Sequence, residues 1–147
     1  MNISVKAIYA VRTIFYLALN ARGDRPARIF EIAEGTGVSA NYLAHLLPEL
    51  KKAGLVRSRR GAEGGYFLAR EPSAISVLDV IESVQGDAAE KPCWGDTGAA
   101  DCPMGIDCAL ERLWRALSES QRDTLRSVTY EDLVQQQNRI ARGNYMI

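Results

Sequence analysis

Apolar residues return every three or four positions from the N-terminus: Val5, Ile8, Val11, Ile14, Phe15 and Ala18. That spacing predicts an amphipathic helix ending near Arg22-Gly23, followed by a turn over Gly23 to Pro26. A short second helix is expected in ARIFEIAEG, with Ile29, Ile32 and Ala33 on one side and Gly35 past its end. TGVS then makes a tight connection in which Ser39 is a good N-cap, and Leu43, Leu46, Leu47 and Leu50 stripe a third helix that Gly54 stops. Pro48 removes one backbone hydrogen bond inside this stripe and is expected to kink it. Two helices joined by a short turn at Gly37 have the layout of a helix-turn-helix.

Beyond Gly54, LVRSRR and YFLAR read as strands flanking the bend GAEGG, a hairpin of the kind that forms a wing. ISVLDVIESVQG predicts a helix capped by Ser76, with Val77, Val80, Ile81 and Val84 facing inward. After Gly86 the periodicity dissolves. It resumes at Cys108, where Leu110, Leu113, Trp114, Leu117, Leu125 and Val128 share one stripe over roughly twenty residues, on the order of 30 Å of helix. A stripe of that length calls for another helix against it. TYEDLVQQQNR predicts a final short helical segment, with ARGNYMI frayed.

The fold class is therefore mostly α, built on a winged helix-turn-helix. Three regions emerge: a DNA-binding domain over 1–86, a cysteine-containing loop over 87–108, and a long helix with its tail over 109–147. With 147 residues and 47% apolar content the chain has material for one core. Lys6 and Arg12 interrupt the apolar N-terminal segment, which argues against a membrane span and for a cytoplasmic protein. Formal net charge is zero, but its distribution is uneven. Residues 1–86 carry eleven Lys/Arg against eight Asp/Glu, residues 87–147 seven against ten, and KKAGLVRSRR holds five cations without an acid.

A basic hairpin beside a helix-turn-helix suits double-stranded DNA, with the second helix presented to base edges and the hairpin to phosphates or the minor groove. Candidate contacts are Ser39, Ala40, Asn41, Tyr42 and His45 at the start of that helix, with Lys51, Arg57, Arg59 and Arg60 at its end and on the wing. His45, the only histidine, fits an exposed helix face better than a metal site. GAEGG bridges two strands and no Lys-Ser/Thr follows it, which excludes a nucleotide-hydrolysing phosphate loop and leaves no sign of an enzyme.

All three cysteines, Cys93, Cys102 and Cys108, fall in CWGDTGAADCPMGIDC. An odd number precludes a closed disulfide framework, so metal or redox chemistry is expected. Their spacing is looser than that of a zinc-knuckle pair, yet zinc and a metal-free thiol switch both stay open, whereas buried structural cysteines fit poorly in a loop this polar.

Taken together, KAIYAVRTIFYLALN, VSANYLAHLLPELKKAGLVRSRRGAEGGYFLAR, ISVLDVIESVQG, the cysteines and LERLWRALSE resemble the Rrf family of bacterial winged-helix regulators across nearly the whole chain. The resemblance implies a homodimer in which the long C-terminal helices cross as dimerisation helices and each wing lies beside its own recognition helix. It also implies an iron-sulfur cluster, [4Fe-4S] or [2Fe-2S], ligated by Cys93, Cys102 and Cys108. In the family pattern a histidine three residues after the last cysteine supplies the fourth ligand; here that position is Glu111, and residues 1–23 contain no Asp, Glu or His for a partner to lend. Glu111 is therefore the candidate fourth ligand, with an open iron site filled by water or a small molecule as the alternative. The implied function is a cluster-controlled DNA-binding regulator, a repressor among the possibilities, sensing redox, iron or nitric oxide. A regulator working through thiol oxidation, zinc or a small molecule is the alternative, and an iron-sulfur carrier or redox protein is a third reading.

Overall fold

The structure, a computed structural model, describes residues 2–21, 25–86, 102–104 and 108–144. The elements follow in the order α1 (Val5–Asn20), α2 (Ile29–Thr36), α3 (Ala40–Lys52), β1 (Val56–Arg59) and β2 (Gly65–Leu68). A single 3-10 turn at Pro72–Ala74 leads to α4 (Val77–Gln85), and α5 (Ala109–Ser127) and α6 (Tyr130–Asn144) complete the chain. The winged-helix architecture expected from the sequence is present. Its core gathers Ile14, Leu17, Ile32, Leu43, Leu46, Leu47, Leu50, Leu55, Ile75 and Val80, all essentially without solvent contact.

Ser4 opens α1 by accepting the amide hydrogen of Ala7, and Ala21 closes it with its own N–H on the Leu17 carbonyl. The buried face is Ala7, Ala10, Ile14, Leu17 and Ala18, whereas Val5 and Ile8 are 61% and 40% exposed. The expected stripe was thus rotated toward the bulkier residues. Alanines fill the interface because α1 is the central helix, packed against α2, α4 and α6 at once. The expected end at Arg22-Gly23 lies outside the described residues.

α2 also runs further than expected. Gly35 sits inside it, where a Cβ would land 2.1 Å from the Tyr16 ring, so the glycine permits close approach of α1 and α2. Gly37 is the true terminator, left-handed at φ 73° with its N–H on the Ala33 carbonyl. α3 begins at the Ser39 cap and passes through Pro48 without a break. Proline costs the single hydrogen bond to the Ala44 carbonyl, and Leu46, Leu47 and Leu50 hold both sides of it in the core. Paired bonds from Leu55 N–H to the Leu50 carbonyl and from Gly54 N–H to the Lys51 carbonyl, both 3.0 Å, then end the helix in a Schellman motif.

In α4 a reciprocal capping box joins Ser76 and Asp79, and Leu78, Val80 and Ile81 are buried, with Val77 and Val84 half-buried. The largest departure concerns the C-terminus. Instead of a short segment with frayed ARGN, α6 is 15 residues long. Its first residue, Tyr130, is fully buried in the main core. The preceding turn is laced to the start of α4: Val77 N–H donates to the Val128 carbonyl, Tyr130 N–H donates to the Ile75 carbonyl, both at 3.0 Å, and Ser76 and Thr129 form an isolated bridge.

Candidate nucleic-acid interface

The start of α3 is presented outward. Ser39, Asn41, Ala44 and His45 are exposed and Ala40 is half-buried. Ser39 spends its hydroxyl on the Tyr42 amide at 3.2 Å, a cap worth about 1 kcal/mol. Tyr42 departs from its expected outward role: it is half-buried, packed on the core, with its ring edge-on to Tyr9 at 5.2 Å. Two polar ties fix the rest of α3. Glu49 pairs with Lys6 of α1 at 2.5 Å, and Lys51 Nζ donates to Ser58 Oγ of β1 at 2.8 Å. Lys51 is therefore a brace between recognition helix and wing as well as an exposed cation.

The wing strands pair antiparallel in the register Val56 with Leu68, Arg57 with Phe67, Ser58 with Tyr66 and Arg59 with Gly65. Alternation places Arg57 and Arg59 on one face and turns Val56 into the core. The Arg59 guanidinium lies 5.8 Å from the centre of the Phe67 ring. Arg57, Arg59 and Arg60 are all exposed. Two contacts that sequence reasoning missed anchor the hairpin to α2. Ala27 exchanges both backbone bonds with Tyr66 at 2.8 Å, making a one-residue third strand. Arg28 Nη2 then donates to the Ala62 carbonyl at the wing tip at 2.5 Å. Because this partner is 34 residues away, no local pattern signals it. The pairing explains Gly65, where φ is 151° and a Cβ would sit 2.4 Å from the Ala27 carbonyl oxygen.

The result is a rigid exposed helix start flanked by guanidinium groups. Short polar side chains of α3 can approach base edges, while Arg57, Arg59 and Arg60 can neutralise phosphates.

The thiol residues occupy a different part of the chain. Cys108 is buried and forms the N-cap position of α5, Cys102 is half-buried, and neither is in a disulfide. Cys93 lies outside the described residues. Glu111, on the first turn of α5, has its side chain 11% exposed and is held by Arg115 one turn on, whose Nε donates to Oε1 at 2.9 Å. The expected fourth ligand is therefore committed to an intrahelical ion pair. Among the described residues no group of three His, Cys, Asp or Glu side chains converges, and His45 stays on the exposed face of α3. Further along α5, Leu110, Leu113, Trp114 and Leu117 are 50%, 57%, 41% and 42% exposed, so this first part of the predicted stripe is uncovered by its own protomer, whereas Leu125 and Val128 are half-buried. No described helix is long and apolar enough to cross a membrane.

Residues 3–136 match the family model Rrf2, described as an iron-dependent transcriptional regulator. Over 138 residues the chain is 38% identical to the HTH-type transcriptional regulator IscR of Yersinia pestis, covering 94% of this chain and 82% of that one. Among solved structures, CymR, the global cysteine regulator of B. subtilis, superposes with a TM-score of 0.76 at 32% identity, covering 92% of this chain and 97% of that one. IscR of T. potens superposes at 0.73 with 34% identity, covering 92% and 88%. These relatives are transcription regulators, not enzymes, and the two solved structures share the winged-helix fold of this chain. The chain belongs to the Rrf2 family of DNA-binding transcription regulators.

Proposed function

We propose that the protein is a homodimeric, cytoplasmic regulator whose grip on double-stranded DNA depends on an iron-sulfur cluster held by Cys93, Cys102 and Cys108. The observation that carries this reading is the position of Cys108. It is an unbridged thiol at the root of α5, the helix whose Leu110, Leu113, Trp114 and Leu117 stand uncovered. The donor chemistry fits, since soft thiolates in a reducing compartment suit iron clusters. Arg115 engages Glu111 through Oε1, so Glu111 would ligate through its other oxygen or give way to a water or small molecule at the fourth iron position.

A bound cluster supplies iron that responds to oxidants, nitric oxide or iron supply. The chain's own residues do the rest. Cys108 and Cys102 pin the start of α5. Leu110, Leu113, Trp114 and Leu117, spaced at i, i+3, i+4 and i+7, meet the same stripe of a second copy. Asn41, Ala44 and His45 then address the two half-sites, about one DNA turn or ~34 Å apart, and Arg57, Arg59 and Arg60 hold the phosphates. Only a difference in free energy between the pinned and released arrangements can change DNA affinity, and a few kcal/mol is enough.

The test is anaerobic purification followed by visible absorbance and iron and sulfide analysis of the wild type and Cys102→Ala. The wild type is expected to be coloured, with iron and acid-labile sulfide, and the variant colourless. Zinc in place of iron and sulfide, or a spectrum unchanged in Cys102→Ala, would refute the reading.

A further inference from the structure

α5 is held to its own protomer near one end. Arg122 Nη1 lies 2.7 Å from Glu82 Oε1 on α4, and Leu125 packs on Ala7, Leu78 and Ile81. Immediately after the helix, Val128 to Tyr130 is laced onto Ile75 to Val77. Toward the other end, Leu110, Leu113, Trp114 and Leu117 face outward. Fourteen residues separate Cys108 from Arg122, so at 1.5 Å per residue this part of α5 is about 21 Å long.

We propose that Glu82 and Arg122 are a positioning pair: they fix the tilt of α5 on the DNA-reading body and thereby set the separation of the two recognition helices in the dimer. The proposal rests on the homodimer reading above. Three features place this duty on the pair. Both side chains are largely shielded, at 31% and 23% exposure, so solvent screens their attraction less than at an open surface. Glu82 stands on a short helix whose Ser76–Asp79 capping box and buried Leu78, Val80 and Ile81 keep it in place. Leu125, three residues on, supplies a pivot with no directional preference, since apolar contact tolerates rotation, whereas the attraction of the ion pair falls as its two charges move apart. The leverage is large. A tilt of about 10° about this end moves the far end of a 21 Å arm by about 4 Å, on the order of the 3.4 Å rise of one base step.

The test uses full-length Glu82→Gln, Arg122→Gln and the charge-exchanged double variant Glu82→Arg/Arg122→Glu. The probes are a duplex of about 30 bp selected by the wild type from a randomised pool, the same duplex with one half scrambled, and versions with the halves moved apart or together by one or two base pairs. Each single variant is expected to lose roughly tenfold on the intact duplex, to bind the half-scrambled duplex as the wild type does, and to lose its preference for the original spacing. The exchanged pair is expected to regain both affinity and spacing preference. Equal losses on intact and half-scrambled duplexes, or single variants that keep the spacing preference, would overturn the role of the pair while leaving the dimer standing. A wild type that binds both duplexes equally would overturn the homodimer reading and the proposal together. Should a single variant melt early, the exchanged pair carries the test, because it restores the charge contact and must then restore the spacing preference.

Discussion

Leu113→Ala is the sharpest probe of the uncovered α5 face. Leu113 is 57% exposed within the protomer, so truncating it leaves most of the protomer's own packing untouched. If a second copy covers that face, three carbons are lost from the interface on each side. At about 0.8 kcal/mol per buried carbon, scaled to the fraction still open, the loss is about 1.4 kcal/mol per protomer and about 2.7 kcal/mol for the symmetric pair. Dimer dissociation should then strengthen roughly 100-fold. Sedimentation velocity over a dilution series reads this directly. The wild type is expected at twice the 16.2 kDa chain mass, and the variant is expected to fall toward 16.2 kDa at concentrations where the wild type holds. The circular dichroism spectrum should barely change. A variant that stays dimeric at every dilution, or one that loses helicity instead of partner, would refute the assignment of this face to a second copy.

Three further outcomes follow from the same coordinates. Burial, with Asp79 adding to it, pushes the Tyr130 phenol well above its ordinary value of 10, so the unfolded chain ionises first. Stability from this group is complete below pH 10 and drains away above it; Tyr130→Phe should flatten that alkaline slope in pH-dependent denaturant melts, and an unchanged slope would clear Tyr130. Gly65→Ala drives a Cβ into the Ala27 carbonyl, and a cost of about 1–3 kcal/mol with weakened DNA binding is expected, read from Tm and fluorescence anisotropy. Arg60→Ala should lower DNA affinity across sequences and reduce the slope of log K against log salt by about one, a result that identical slopes would contradict.

The recognition helix and the wing were legible in the sequence because each is written in strong local signals. Leucines at 43, 46, 47 and 50 admit one helical face, Ser39 caps it, and Arg57 and Arg59 lie on a strand, with Arg60 just past its end, bounded by glycines. α1 was harder to read, because its interface is made of Ala7, Ala10 and Ala18, and a pattern weighted by side-chain bulk follows Val5 and Ile8 instead. Gly35 and Gly37 are both plausible helix stops; only the Tyr16 ring over Gly35 tells them apart. The anchoring of the wing by Ala27 and Arg28, and the return of Tyr130 to the core, join residues far apart in the chain and have no local signature. Glu111 is the opposite case: Arg115 four residues later was a readable sign that its carboxylate had a partner.

The bracing of α3 bears on how a signal can reach DNA. Lys6 holds Glu49, Tyr9 backs Tyr42, Lys51 is tied to Ser58, and four buried leucines fill the space beneath. Moving this helix within its protomer means breaking several of these contacts together and opening a well-packed core, which costs more than a regulatory switch of a few kcal/mol supplies. Rotation of one protomer against the other disturbs none of them. It asks that α5 change its angle on α4, where the described contacts include the Glu82–Arg122 ion pair, Leu125 and a short backbone lacing. On this physical ground, in the homodimer proposed above, a group bound at Cys108 would act on the spacing of two unaltered reading heads, and not on the shape of either head.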